Sequence, residues 1–236
     1  MIEIRGLEKS FGPLTVLKGI DLRIRPGQVT SLVGPNAAGK TTLIKCVVGL
    51  VIPGAGEILV DGSPVRGAWA YREKIGYMAQ VARFPEHLTF AEVLRLVKDL
   101  RARPAKDEDL LLGLFDLHAF LGRPLRVLSG GTRQKVNLVL AMMWDPEILI
   151  LDEPTVGLDP LAARRQKDRI LDEGARGKTV VLASHAMSEI EELSDRVVFL
   201  LEGRVYFDGT PDELRGRAGE ATLERAIARI LEDNGR

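Results

Sequence analysis

Gly34-Pro35-Asn36-Ala37-Ala38-Gly39-Lys40-Thr41, followed by Thr42, is the stretch from which the rest of this 236-residue sequence can be read. Its spacing, G-x-x-x-x-G-K-[ST], is that of a loop whose backbone N–H groups turn inward around phosphate oxygens. The apolar run Val29 to Val33 before it reads as a strand, and Leu43, Ile44, Val47, Val48 and Val51 behind it recur on one face of a helix. Strand, loop and helix in that order put the loop at a helix N-terminus, where free N–H groups and the helix dipole favour an anion. Lys40 supplies a point charge for β- and γ-phosphates, and Thr41 a hydroxyl for Mg²⁺. A glycine-rich turn between strand and helix would explain the glycines but not Lys40 and Thr41 behind them. The chain is therefore expected to bind a nucleoside triphosphate.

Bulk composition narrows the partners. Lys and Arg total 33 and Asp and Glu total 33, so no net field draws the chain to nucleic acid or to an anionic membrane surface. No nucleic-acid partner is expected. Cys46 is the only cysteine, which excludes an intrachain disulfide and a cysteine-based zinc site; in the helix after the loop it reads as a small buried hydrophobe. Met1-Ile2-Glu3-Ile4-Arg5 lacks the basic and apolar regions of a signal peptide. The longest apolar run, Val136 to Trp144, is interrupted by Asn137 and is too short to span a bilayer. Work at a membrane would need another chain to cross it.

The hydrophobic periods alternate along the chain. Strands are expected at Ile2–Ile4, Val16–Ile24, Val29–Val33, Glu57–Val60 before the turn Asp61-Gly62, and Ile75–Met78. Thr89-Phe90-Ala91-Glu92 is a capping box opening a helix that runs to Arg103-Pro104-Ala105, and a second helix covers about Glu108 to Phe115. A helix at Thr132–Trp144, a strand at Ile148–Leu151, a helix near Leu161–Glu173 and a strand at Thr179–Ala183 follow. A helix near Met187–Leu193 and strands at Arg196–Leu201 and Val205–Phe207 complete the alternation. The fold class is α/β: a mostly parallel sheet covered by helices, an N-terminal antiparallel β part, and a helical lobe inserted at about 81–144. The main domain spans 1–214 and a helical tail 215–236. In the tail, Leu223, Ala226, Ile227, Ile230 and Leu231 form an amphipathic stripe, read first as docking on the body of the domain and second as a partner-binding helix.

Two further motifs carry phosphate chemistry. Ile148 to Leu151 reads as a strand buried on both faces, ending in Asp152 and Glu153 at the edge where an open α/β sheet places its ligand crevice. Asp152 is the expected Mg²⁺ partner, and Glu153 is placed to deprotonate an attacking water. Leu128-Ser129-Gly130-Gly131-Thr132 precedes a helix with Val136, Val139, Leu140 and Met143 inward, a second anion-binding helix end. Simple serine capping explains the helix start but not both glycines.

Leu128 to Gly131 resembles the signature of the ATP-binding-cassette (ABC) ATPases, and the family's other motifs lie in the family's order. The resemblance covers about residues 1 to 214. It implies that Phe11 stacks on adenine, that residues 34–42 bind ATP, and that Gln80 is the Q-loop glutamine and a ligand of Mg²⁺ with Thr41 and Asp152. It further implies that Glu153, His185 and Gln80 serve hydrolysis of ATP to ADP and phosphate, and that Asp159 belongs to the D-loop. Ser129, Gly130 and Gly131 would close on ATP held by a second copy of the chain or a paralogous cassette. By the same resemblance the chain is the ATPase subunit of an exporter-like, ABC-2-type transporter at the cytoplasmic face of the membrane, beside separate transmembrane permease subunits. The alternative is a soluble ABC ATPase of an iron–sulfur cluster assembly complex. Met78 to Arg101 resembles the copper-processing subgroup associated with nitrous-oxide reductase maturation. Three positions depart from the family pattern: Ala37 replaces glycine, Thr132 replaces glutamine, and the aromatic is Phe rather than Tyr. If position 37 needs positive φ, the loop is strained there.

Overall fold

The computed structural model describes residues 1–234. Two sheets organise the chain. The first is antiparallel, in the order β2-β1-β4-β5, from β1 (Ile2–Phe11), β2 (Leu14–Ile24), β4 (Ala55–Val60) and β5 (Ser63–Pro64). The second has the order β10-β9-β3-β8-β7-β6, from β3 (Val29–Val33), β6 (Ile75–Met78), β7 (Ile148–Asp152), β8 (Thr179–Ala183), β9 (Arg196–Leu201) and β10 (Arg204–Gly209). All pairs in this second sheet are parallel except β9 with β10. Strands β3, β7 and β8 are buried at every residue, as central parallel strands covered on both faces must be.

The helices are α1 (Lys40–Val47), α2 (Phe90–Arg101), α3 (Glu108–Leu114), α4 (Gly130–Met142), α5 (Pro160–Ala175), α6 (Met187–Leu193), α7 (Pro211–Ala218) and α8 (Leu223–Asp233). Several ends differ from the periodicity reading. β1 continues past Ile4 to Phe11 because its Leu7 still packs inward while the strand pairs with β2 on one side and β4 on the other. α1 stops at Val47, so Val51 lies beyond the helix. α2 ends at Arg101, before the proline, with Ala102 left-handed at φ 50. α4 starts at Gly130, since Ser129 caps it through the Thr132 N–H at 3.2 Å, and ends at Met142 rather than Trp144.

Three apolar clusters hold the elements. α1 packs between the two sheets with Ile2, Ile4, Leu22 and Ile24 from one and Leu32, Ile150 and Val181 from the other. The opposite face of the parallel sheet, through Leu149, Leu151, Val180 and Leu182, is covered by α4 and α5 and is continuous with the side chains of α2 and α3. The third cluster joins Val197 and Phe199 of β9 to Leu214, Leu223, Ile227 and Ile230, so the apolar stripe of the tail docks on the body of the molecule. Cys46 is buried, and burial pushes its thiol up to about 11. No helix among the described residues is long and apolar enough to cross a membrane.

Candidate nucleotide site

Parallel strands end on the same side, so β3, β6, β7 and β8 deliver the loops after Val33, Met78, Asp152 and Ala183 to one edge of the sheet. A cleft of about 850 Å³ opens there. Its floor is the loop and first turn of α1, Asn36 to Thr42; Gln80, Asp152 and Glu153 line one side, and Phe11, Thr15, Val16 and Lys18 of the antiparallel sheet line the other.

The glycines of the loop are there for close approach. A Cβ on Gly34 would meet the Leu200 carbonyl oxygen at 2.2 Å, and one on Gly39, at φ 105, would meet Leu17 at 2.8 Å. Position 37 does take positive φ, at 64°, and carries alanine. Lys40 folds back over its own loop, its Nζ donating to the carbonyl oxygens of Gly34 at 2.6 Å and Pro35 at 3.1 Å. Burial lowers its pKa, opposed by the charges of Glu153 and Asp152. Those carbonyls hold the ammonium where a phosphate would replace them as its partner.

Asp152 is 1% exposed and its Oδ2 has no hydrogen-bond partner. Burial holds its carboxyl above the ordinary aspartate range; the Thr41 hydroxyl bonded to it pulls the other way, and the Glu153 charge adds to the rise. A buried, unsatisfied carboxylate oxygen beside a hydroxyl and a phosphate loop fits a divalent cation, which would supply the missing charge. No cluster of three acidic, histidine or cysteine ligands exists among the described residues. The donor set therefore suits a cation that completes its shell with substrate phosphate and water.

Glu153 is held in the left-handed region at φ 54. Its N–H donates to the Ala183 carbonyl at 2.8 Å, and its own carbonyl accepts from Gln134 Nε2 of α4 at 3.2 Å. His185 Nδ1 lies 2.8 Å from Glu153 Oε2, with the imidazole 67% exposed and the carboxylate 8% exposed. The acid is thus sheltered and the histidine open to whatever enters the cleft. Gln80 is exposed just past β6, and the carbonyl of Ala79 before it accepts from Asn137 Nδ2 at 2.8 Å. Phe11 is 49% exposed at the mouth, with Lys9 Nζ 4.9 Å from its ring centroid.

Ser129, Gly130 and Gly131 do not line the cleft. They lie exposed or half-buried at the start of α4, and Asp159 caps α5 through the Ala162 N–H at 2.8 Å and accepts from Lys135 at 3.2 Å. The two signature glycines differ. A Cβ on Gly131 would meet the Gly157 carbonyl at 2.7 Å, so packing within the chain requires that glycine, whereas Gly130 faces open space. In the loop after Gln80, Phe84 packs half-buried on the helical cluster, while Pro85 and His87 are exposed. Thr15, Val16, Lys18, Gln134 and Glu202 reach the site without any motif. Only the fold of the antiparallel sheet over the loop, the β9–β10 turn and the return of α4 beneath β7 reveal them.

Residues 17–156 match the family model described as "ABC transporter". The chain belongs to the ABC transporter family. It is 39% identical over 225 residues to the daunorubicin resistance ATP-binding protein DrrA3 of Streptomyces coeruleorubidus, covering 92% of this chain and 71% of that one. It is 38% identical over 224 residues to the sulfate/thiosulfate import ATP-binding protein CysA of Caulobacter vibrioides, covering 90% of this chain and 66% of that one. An ATP-binding subunit of an ABC transporter superposes with a TM-score of 0.90 at 31% identity, over 98% of this chain and 99% of that one. A dimeric ATP-binding cassette in a post-hydrolysis state with ADP and phosphate matches at 0.80 and 25% identity, over 89% and 98%. The cassette is an ABC ATPase with the family's fold.

Proposed function

We propose that this cassette powers transport through separate membrane-spanning subunits, by closing head to tail on ATP with a second copy or a paralogous cassette and hydrolysing it. The observation that carries the reading is the half-built cleft. One chain cradles phosphate from one side, while exposed Ser129, the cap of α4, and the open face of Gly130 lie outside that cleft, where another chain's nucleotide could meet them. The transport-associated names of its relatives support the choice over a soluble assembly factor. The working position is then the cytoplasmic face of the membrane, with the exposed Pro85–His87 loop toward the permease. The likeness of Met78–Arg101 to copper-processing ATPases supplies the subgroup reading.

In this mechanism Phe11 stacks on the base and residues 34–42 wrap the phosphates, Lys40 leaving its loop carbonyls for phosphate oxygens. Thr41, Asp152 and Gln80 would hold Mg²⁺, which supplies neutralisation of β- and γ-phosphate charge when bound. Glu153 accepts the proton of the attacking water, and its burial keeps competing solvent away. His185, leaving Glu153 as the cleft fills, donates to the γ-phosphate and senses its loss. Asp159 stands at the seam beside the signature.

Glu153→Gln removes the base but keeps shape and hydrogen bonding. With Mg-ATP the variant is expected to elute as a dimer and the wild type as a monomer in light scattering. A monomeric ATP-loaded variant would overturn the head-to-tail reading.

A further inference from the structure

We infer that Glu202 reads the ribose of the bound nucleotide. The inference rests on the cleft being the nucleotide site. Glu202 and Gly203 form the two-residue turn between β9 and β10, both with positive φ, at 50° and 79°. Such turns favour Asn, Asp or Gly at the first position, because longer L side chains are strained there. The other hairpin of this shape, between β4 and β5, obeys the rule with Asp61-Gly62, at φ 49 and 78. That turn lies away from the cleft, and Asp61 bonds Lys74 and the N-terminus. The turn that breaks the rule is the one whose acid lines the cleft. Strain accepted on the rim of a binding site points to a role for the side chain.

The turn's seating sets the level at which Glu202 acts. The Lys18 N–H donates to the Gly203 carbonyl at 2.9 Å, and a Cβ on Gly203 would meet the Val16 carbonyl at 2.3 Å. The same Val16 carbonyl lies 3.2 Å from a Cβ built on Gly39 of the phosphate loop. Val16 thus stands between the turn and the phosphate loop, while Phe11, where the base stacks, is farther along the sheet at the end of β1. A nucleotide running from Phe11 to the loop passes its sugar beside Val16. A carboxylate there would be repelled by phosphate and attracted by vicinal hydroxyls, two donors that one carboxylate can accept together.

The test compares the affinities of ATP and 2′,3′-dideoxy-ATP, with GTP alongside, for the wild type, Glu202→Asn and Glu202→Gln. Asn suits the turn and cannot reach; Gln keeps the length without the charge. Wild type is expected to prefer ATP over the dideoxy nucleotide by about tenfold, as for hydrogen bonds to a charged acceptor. That preference should fall to about one in Glu202→Asn and lie between in Glu202→Gln. Glu202→Asn is also expected to melt no lower than wild type, because the turn improves. An unchanged ATP-to-dideoxy ratio in both variants overturns the assignment. So does a change confined to the ATP-to-GTP ratio, which would move Glu202 to the base. A wild type that binds none of the three would refute the nucleotide site itself.

Discussion

Ala37 holds φ 64 in the middle of the phosphate loop, a conformation in which its Cβ is a burden rather than a contact. Ala37→Gly should therefore raise stability. Relief of the left-handed strain is partly cancelled by the extra freedom glycine has in the unfolded chain, leaving a gain of about 0.5–1 kcal/mol. Differential scanning calorimetry on the nucleotide-free protein checks this, at roughly 2–4 °C per kcal/mol for a chain of this size. A lower melting temperature would mean that the loop is not strained at this residue. Asp152 and Glu153 carry tension of another kind. One is a buried acid with an unpartnered oxygen, the other a sheltered acid on a left-handed backbone. Both were recognisable in the sequence as acids ending an apolar strand. Their burial and the 2.8 Å contact with His185 were not, because they depend on β8 lying beside β7.

The signature helix shows how one element serves packing and chemistry at once. Ser129 caps α4, Gly131 lets the Gly157 carbonyl approach, and Gln134 and Asn137 on its buried side bond the backbones of Glu153 and Ala79. Exchanging each glycine for alanine separates these duties. Gly131→Ala should destabilise the fold by about 1–3 kcal/mol, since the neighbour in its way is backbone that cannot rotate aside. Gly130→Ala meets nothing within the chain and gains helix propensity, so its melting temperature should match or exceed wild type while ATPase activity falls. Chemical denaturation and phosphate release on the two variants check the contrast; equal stability loss in both would remove the distinction. The sequence contained the helix, its cap and both glycines. Which glycine serves the chain's own packing became visible only with Gly157 beside it.

Across the molecule, a buried ion network ties the helical elements to the parallel sheet. Arg169 of α5, 7% exposed, reaches Glu173 at 2.5 Å and Asp107, just before α3, at 3.0 Å; Glu173 also meets Lys178, which pairs in turn with Asp145. The Lys106 and Asp107 N–H groups donate to the Met143 carbonyl at the end of α4. Arg169→Ala would leave Glu173 buried with Lys178 and the more distant Arg176, at 3.6 Å, as its cationic partners, and is expected to cost about 3–5 kcal/mol. Urea unfolding measures it, and a loss below about 1 kcal/mol would show that Lys178 and Arg176 suffice. Arg169 and Glu173 have the i,i+4 spacing of neighbours on α5, but the links to Asp107 and Asp145 were not legible in the sequence, since those partners lie 62 and 33 positions away and no local pattern joins them.

Local physics governs what can be read from neighbours along the chain. A loop spacing, an apolar run of five residues or a capping box needs only adjacent residues, and those established the α/β order, the phosphate loop, the acids of β7 and the stripe of α8. Tertiary structure decided which side of the cleft each motif occupies. It left the signature outside its own chain's cleft, brought Lys18 and Glu202 to the rim, and seated the tail on β9. Those outcomes follow from strand order and helix packing, in which residues far apart in sequence compete for the same buried surface.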